Sequence, residues 1–160
     1  VLDEHRGRHV GTAAEVLVGA AVHAIVVEDD HAHRQVVAAD GLDLHAAEAE
    51  GAHAERFDVV ILDPPSFTRN RASVPDALRG YKELHLRALK LLKAGGTLAT
   101  FCCSHHVNAG LFQDTVLSAA FDARRVLRRI ATYSQSPDHP VVPMIPETEY
   151  LKGFAFEVVR

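Results

Sequence analysis

The chain has 160 residues, 48% of them apolar and 24% charged, with a formal net charge of −4. That is the balance of an ordinary globular domain long enough to bury a sizeable core, and its acidic excess argues against a surface that grips nucleic acid all over. No apolar run reaches bilayer length, no signal peptide is visible, and the only two cysteines, Cys102 and Cys103, are neighbours; this excludes a disulfide framework and points to a reducing, cytoplasmic setting.

Residues 1–54 are rich in Ala and His and weakly periodic. Within them Val22 to Val27 reads as a strand ending at Glu28, and Val36 to Ala39 as another ending at Asp40. From Phe57 the signals sharpen. Phe57 to Leu62 is a short apolar run ended by Asp63-Pro64-Pro65, as expected of a strand buried on both faces. Tyr81, Leu84, Ala88, Leu91 and Leu92 recur at helical spacing, and Gly95-Gly96 is expected to stop that helix. Thr97 to Cys103 reads as a second buried strand. Asn108 is placed to cap a helix carrying Leu111, Phe112, Val116 and Ala119 on one face. Val126 to Tyr133 and Lys152 to Val159 read as two further strands, joined by a stretch with Pro137, Pro140, Pro143 and Pro146. Strands alternating with helices predict an α/β fold: a doubly wound Rossmann-like sheet, mostly parallel, with a C-terminal antiparallel strand and an incomplete N-terminal part.

Open α/β sheets bind ligands outside the carboxyl ends of their strands. Glu28, Asp40, Asp63 and Cys103 all fall at such ends, where carboxylates can accept hydrogen bonds from ribose hydroxyls or an adenine amine. The prolines of Asp63-Pro64-Pro65-Ser66-Phe67 fix the backbone there, so Asp63 is preorganised; an ordinary strand-ending turn is the plainer alternative. A thiolate at the end of the next strand is a strong nucleophile, but taken alone the pair reads more simply as two buried cysteines acting as small hydrophobes. Strand alternation sends the two thiols to opposite sides, so only one of them can serve a site.

Phe57 to Phe67, Arg79-Gly80-Tyr81-Lys82, Gly95-Gly96, Thr100-Phe101-Cys102-Cys103-Ser104 and Tyr150-Leu151-Lys152-Gly153-Phe154 occur in an order and at intervals that resemble the bacterial large-subunit ribosomal RNA cytosine-C5 methyltransferases of the PUA-linked type. The likeness covers residues 55–160 of what reads as one methyltransferase domain over 1–160, with 1–54 a divergent cofactor-binding part. It implies S-adenosylmethionine as cofactor, large-subunit ribosomal RNA as partner, and no membrane or metal. It makes Cys103 the nucleophile towards C6 of cytosine and places Asp63 near base and cofactor. It further implies Glu28 at the ribose, Asp40 and Gly41 at the adenine side with Pro64 and Pro65, and Phe67, Arg79 and Lys82 at the RNA.

The departures are as informative. Glu4 to Gly11 stands where the family has a Tyr-Thr-Gly-Gly loop, so bulky charged residues replace glycines that permit close backbone approach. The interval from Glu28 to Asp40 is short for the usual intervening helix, and the N-terminal PUA domain is not found in the chain. A truncated or frame-disturbed product and a divergent protein both fit. Alternative readings are an RNA N-methyltransferase that uses the Asp-Pro-Pro loop without a thiol, or a non-catalytic remnant. The histidines, including His31, His33, His105 and His106, match no zinc spacing and read as a solvated, biased segment. Arg69, Arg71, Arg124, Arg125, Arg128 and Arg129 are either phosphate contacts or a solvated face.

Overall fold

Nine elements carry the fold of the computed structural model, which describes residues 14–17, 23–29 and 32–39 as backbone and residues 57–159 with their side chains. In chain order they are β1 (Ala14–Leu17), β2 (His23–Asp29), β3 (Ala32–Ala39), β4 (Phe57–Leu62), α1 (Val74–Leu91), β5 (Leu92–Cys102), α2 (Ala109–Asp122), β6 (Leu127–Tyr133) and β7 (Lys152–Val158), with short 3-10 turns at Arg71–Ser73 and Pro146–Thr148. The strands form one sheet in the order β1-β2-β3-β4-β5-β7-β6.

The sheet is mixed rather than mostly parallel. Only β3·β4 and β4·β5 run parallel; β1·β2, β2·β3, β5·β7 and β6·β7 are antiparallel. For β2 and β3 the cause is the connection. Residues 30–31 alone separate the two strands, and a parallel pair needs a crossover of about a dozen residues or more. The strands expected at Val22–Val27 and Val36–Ala39 are therefore present, but they face opposite ways along the sheet.

The core lies between the sheet and the two helices. Val60 and Leu62 of β4, Leu98, Thr100 and Cys102 of β5, and Phe154, Phe156 and Val158 of β7 are all buried. Against them α1 sets Ala77, Tyr81, Leu84, His85, Ala88, Leu89 and Leu91, and α2 sets Phe112, Val116 and Ala119. Each fully buried Leu or Phe is worth about 1.5–3 kcal/mol over exposure, so this layer carries most of the stability of residues 57–159. Phe112 sits at the junction, its ring 5.5 Å from Tyr81 edge-on and 6.0 Å from Phe154. Among the described residues both helices cover the same face, so the double winding expected from the sequence is not seen there.

Local chemistry sets the helix limits. Pro75 opens α1, where its missing N–H costs nothing. Asn108 caps α2 by accepting a hydrogen bond from the Leu111 amide at 2.9 Å. At the other end Arg125 N donates to Ala120 O at 2.9 Å and Arg124 N to Phe121 O at 3.0 Å. This is a Schellman closure, with Arg124 at φ 55° in the left-handed position that glycine usually holds. α1 ends at Leu91 rather than at the glycine pair, because Leu92 already pairs with Phe57 in the sheet. Gly95, at φ 79°, and Gly96 lie where the β4·β5 register shifts between Phe57 and Val59. A side chain on Gly96 would meet the Lys93 carbonyl at 2.9 Å.

Candidate active site

β4 and β5 are adjacent and parallel, with Leu62 opposite Thr100, so the segments that follow them leave the sheet at the same edge. Asp63 is exposed there, without a hydrogen-bond partner among the described residues, while Pro64 behind it is buried. The loop is anchored rather than loose. Phe67 stacks on Tyr81 with ring centroids 4.5 Å apart, and its amide donates to the Tyr81 hydroxyl at 3.5 Å. Phe67 also lies close over Gly80, where an added Cβ would come within 3.3 Å of its ring. Thr68 and Ser104 join side chain to side chain. This bond ties the loop after β4 to the loop after β5.

The two cysteines part company here. Cys102 is fully buried, and its thiol donates to the Tyr81 hydroxyl at 3.5 Å. Cys103 is partly exposed, at the end of the strand and on the opposite side. Alternation along the strand is the cause. Burial, reinforced by the neighbouring Cys102, pushes the Tyr81 hydroxyl far above the usual phenol range, so it stays protonated. Behind it lies His85, which the sequence reading overlooked. Its Nδ1–H donates to the Tyr81 carbonyl at 2.5 Å, leaving Nε2 to accept from the Thr100 hydroxyl at 2.8 Å. Burial lowers this histidine to about 4, partly countered by the Tyr81 carbonyl, so it is neutral at pH 7. A histidine four positions after Tyr81 falls on the buried stripe of α1, and that spacing was the available signal.

The structure thus brings Asp63, Pro64, Pro65, Phe67 and Cys103 to one edge. Glu28 is not among them. It pairs with His33, near the start of β3, whereas it is Ala39 at the other end of β3 that stands opposite Leu62. Because β2 runs antiparallel to β3, Glu28 lies at the opposite edge of the sheet from Asp63. Asp40, Gly41 and the Glu4–Gly11 segment lie outside the described residues. Arg79 and Lys82 border a groove of about 310 Å³ between α1 and α2, with Leu78, Leu111 and Ser118. Both are ion-paired, Arg79 with Asp76 and Lys82 with Asp122 at 2.7 Å.

The arginines of the β6 side have structural partners. Arg128 pairs with Glu157, Arg129 reaches Gln113 at 2.5 Å and covers the Phe154 ring, and Arg125 donates to the Leu92 carbonyl at 3.1 Å. Among the described residues no group of three or more His, Cys, Asp or Glu is placed to hold a metal, and no helix is long and apolar enough to cross a membrane.

The chain resembles solved methyltransferases in its backbone. A protein described as a methyltransferase in complex with SAH superposes with a TM-score of 0.57 at 21% identity, covering 72% of this chain and 29% of that one. A protein described as a SAM-dependent methyltransferase from Streptococcus mutans gives 0.55 at 18% identity, over 72% of this chain and 28% of its own. The fold is that of a Rossmann-like methyltransferase. In sequence the chain is 38% identical over 164 aligned positions to the Ribosomal RNA large subunit methyltransferase I of Salmonella paratyphi B, covering 93% of this chain and 41% of the relative. The protein of the same name from Salmonella heidelberg matches to the same extent. The chain therefore spans about two fifths of the length of these relatives. No protein-family model matches it.

Proposed function

We propose that the chain is the catalytic part of an S-adenosylmethionine-dependent methyltransferase that modifies C5 of a cytosine in large-subunit ribosomal RNA. The observation that carries this reading is the division of labour at the end of β5: Cys102 is sealed in the core, and Cys103 is reachable at the edge where Asp63 stands. The described part of that edge suits the cofactor. Asp63 offers an acceptor without a partner among the described residues, on a backbone fixed by Pro64 and Pro65. When bound, S-adenosylmethionine supplies an electrophilic methyl group.

The residues of the chain supply the rest. C5 of cytosine is a poor nucleophile until a group adds at C6. Addition of the Cys103 thiolate forms a sulfur–carbon bond and leaves the electron pair of the C5–C6 double bond on C5. Once C5 is methylated it gives up its proton to solvent water, and the C–H electron pair re-forms the C5–C6 double bond as the thiolate is expelled from C6. Asp63 accepts a hydrogen bond from the exocyclic amine and holds the base still during these steps. Phe67, fixed on Tyr81, flanks the base, and Arg79 and Lys82 exchange their carboxylate partners for phosphates.

The test uses RNA with 5-fluorocytosine at the target, where C5 cannot release fluorine and the adduct persists. The wild-type chain forms a covalent complex with this RNA in the presence of cofactor, and Cys103→Ala abolishes it. Methylation that survives in Cys103→Ala rejects the nucleophile and leaves methyl transfer to the exocyclic nitrogen. A calorimetric titration with S-adenosylmethionine that shows no binding rejects the enzyme reading altogether.

A further inference from the structure

Lys152 opens β7 opposite Cys102. Its ammonium turns inward, donating to the Ser104 carbonyl and, at 2.7 Å, to the Tyr150 carbonyl. Those two carbonyls belong to different segments. Ser104 continues the strand end that carries Cys103, and its buried hydroxyl is tied to Thr68. Tyr150 follows the Pro146–Thr148 turn. The same two segments wall a cavity of about 240 Å³ lined by His105, His106, Pro146, Glu147 and Glu149. One ammonium therefore staples both walls together, at the residue that follows Cys103.

We propose that Lys152 is the positioning residue of Cys103: by bridging the Ser104 and Tyr150 carbonyls it fixes the turn that presents the thiol, and it holds a positive charge on that turn. A lysine with free access to water does not ordinarily give up hydration for two neutral carbonyls. Burial lowers the Lys152 ammonium, while Cys102, Cys103 and Glu149 act in the opposite direction, which puts the charge within electrostatic reach of both thiols. Tyr81 also acts on both thiols, and His105, His106 and Glu147 line the adjoining cavity. The charge-assisted bonds resist twisting of the turn more strongly than neutral ones would. The proposal rests on the reading of Cys103 as a nucleophile, but its test needs no methylation, so the two can fail separately.

The test compares alkylation of Cys103 by neutral iodoacetamide and by anionic iodoacetate in the wild-type chain, Lys152→Arg and Lys152→Gln, with the modified residue identified by peptide mapping. A fixed ammonium favours the anionic reagent. Lys152→Gln lowers the iodoacetate-to-iodoacetamide rate ratio by about fivefold, the effect of one unit charge a few ångström away in a wet site. Lys152→Arg, which keeps charge and donors, restores it. An unchanged ratio in folded Lys152→Gln overturns the proposal. If Lys152→Gln does not fold, the wild-type chain decides alone. A ratio above that of N-acetylcysteine amide, collapsing with added salt, supports the proposal, and a ratio equal to it overturns the proposal.

Discussion

Protonating His85 should unfasten α1 from β5. The imidazole is fully buried and satisfied at both nitrogens, donating to Tyr81 and accepting from Thr100. A second ring proton would turn the acceptor of the Thr100 bond into a donor and place an uncompensated charge in the core. In the folded chain this histidine titrates at about 4, against 6.5 for the ordinary group. Between these values the unfolded chain binds the proton and the folded chain does not, so stability rises with pH across the window. The contribution is fully present above about pH 6.5 and is lost as pH falls towards about 4, at up to about 1.4 kcal/mol per unit and about 3 kcal/mol in all. Urea unfolding followed by circular dichroism, on the wild-type chain and His85→Gln at a series of pH values, measures the difference. The variant is less stable near pH 7 but flatter in pH, and the two curves converge by about 3 kcal/mol on acidification. Parallel curves would refute the reasoning, since the other histidines are common to both proteins.

Gly153 pairs with both Phe101 and Tyr133, and a Cβ there would come within 2.6 Å of the Phe101 ring and 3.0 Å of Tyr133 Cβ; Gly153→Ala should cost about 1–3 kcal/mol in a denaturant titration. Arg124→Gly should instead stabilise by about 1 kcal/mol, because it removes a side chain from the left-handed position that closes α2, and an unchanged melting midpoint would contradict this. Asn108→Ala should cost about 1 kcal/mol, read in the same titration, by leaving the Leu111 amide without its side-chain acceptor. Asp63→Asn should leave the melting midpoint within a degree or two, its side chain being exposed and without a partner among the described residues, while lowering methylation at least about 100-fold; a variant that unfolds yet methylates normally per folded molecule would remove Asp63 from the site.

Much of this arrangement is legible in the sequence because it depends on short-range spacing. The Tyr81, Leu84 and Ala88 stripe marks the buried side of α1, Asn108 marks the cap of α2, and the alternation through Cys102 and Cys103 correctly separates a buried thiol from a reachable one. What depends on distant partners is not legible. Gly95 looks like a helix stop, yet its left-handed backbone serves a bulge that only the pairing of Phe57 with Leu92 reveals. Glu28 sits at a strand end as expected, but which edge of the sheet that end reaches is set by the direction of β2, hence by the connection to β3. Lys152 stands in a string that the sequence singles out, but its bonds leave no trace because its acceptors are backbone carbonyls, which look alike at every position.

The burial of Cys102 beneath Tyr81 has a use of its own. A sealed thiol can meet a reagent only when the structure around it opens, so its modification rate is a clock for that opening. With Cys103 blocked first, slow labelling of Cys102 reports how often α1 lifts from β5, in the way amide exchange reports hydrogen-bond rupture but from a single atom. A ligand that seats on the Asp63 loop should slow the clock, since Phe67 rests on the same tyrosine that covers the thiol.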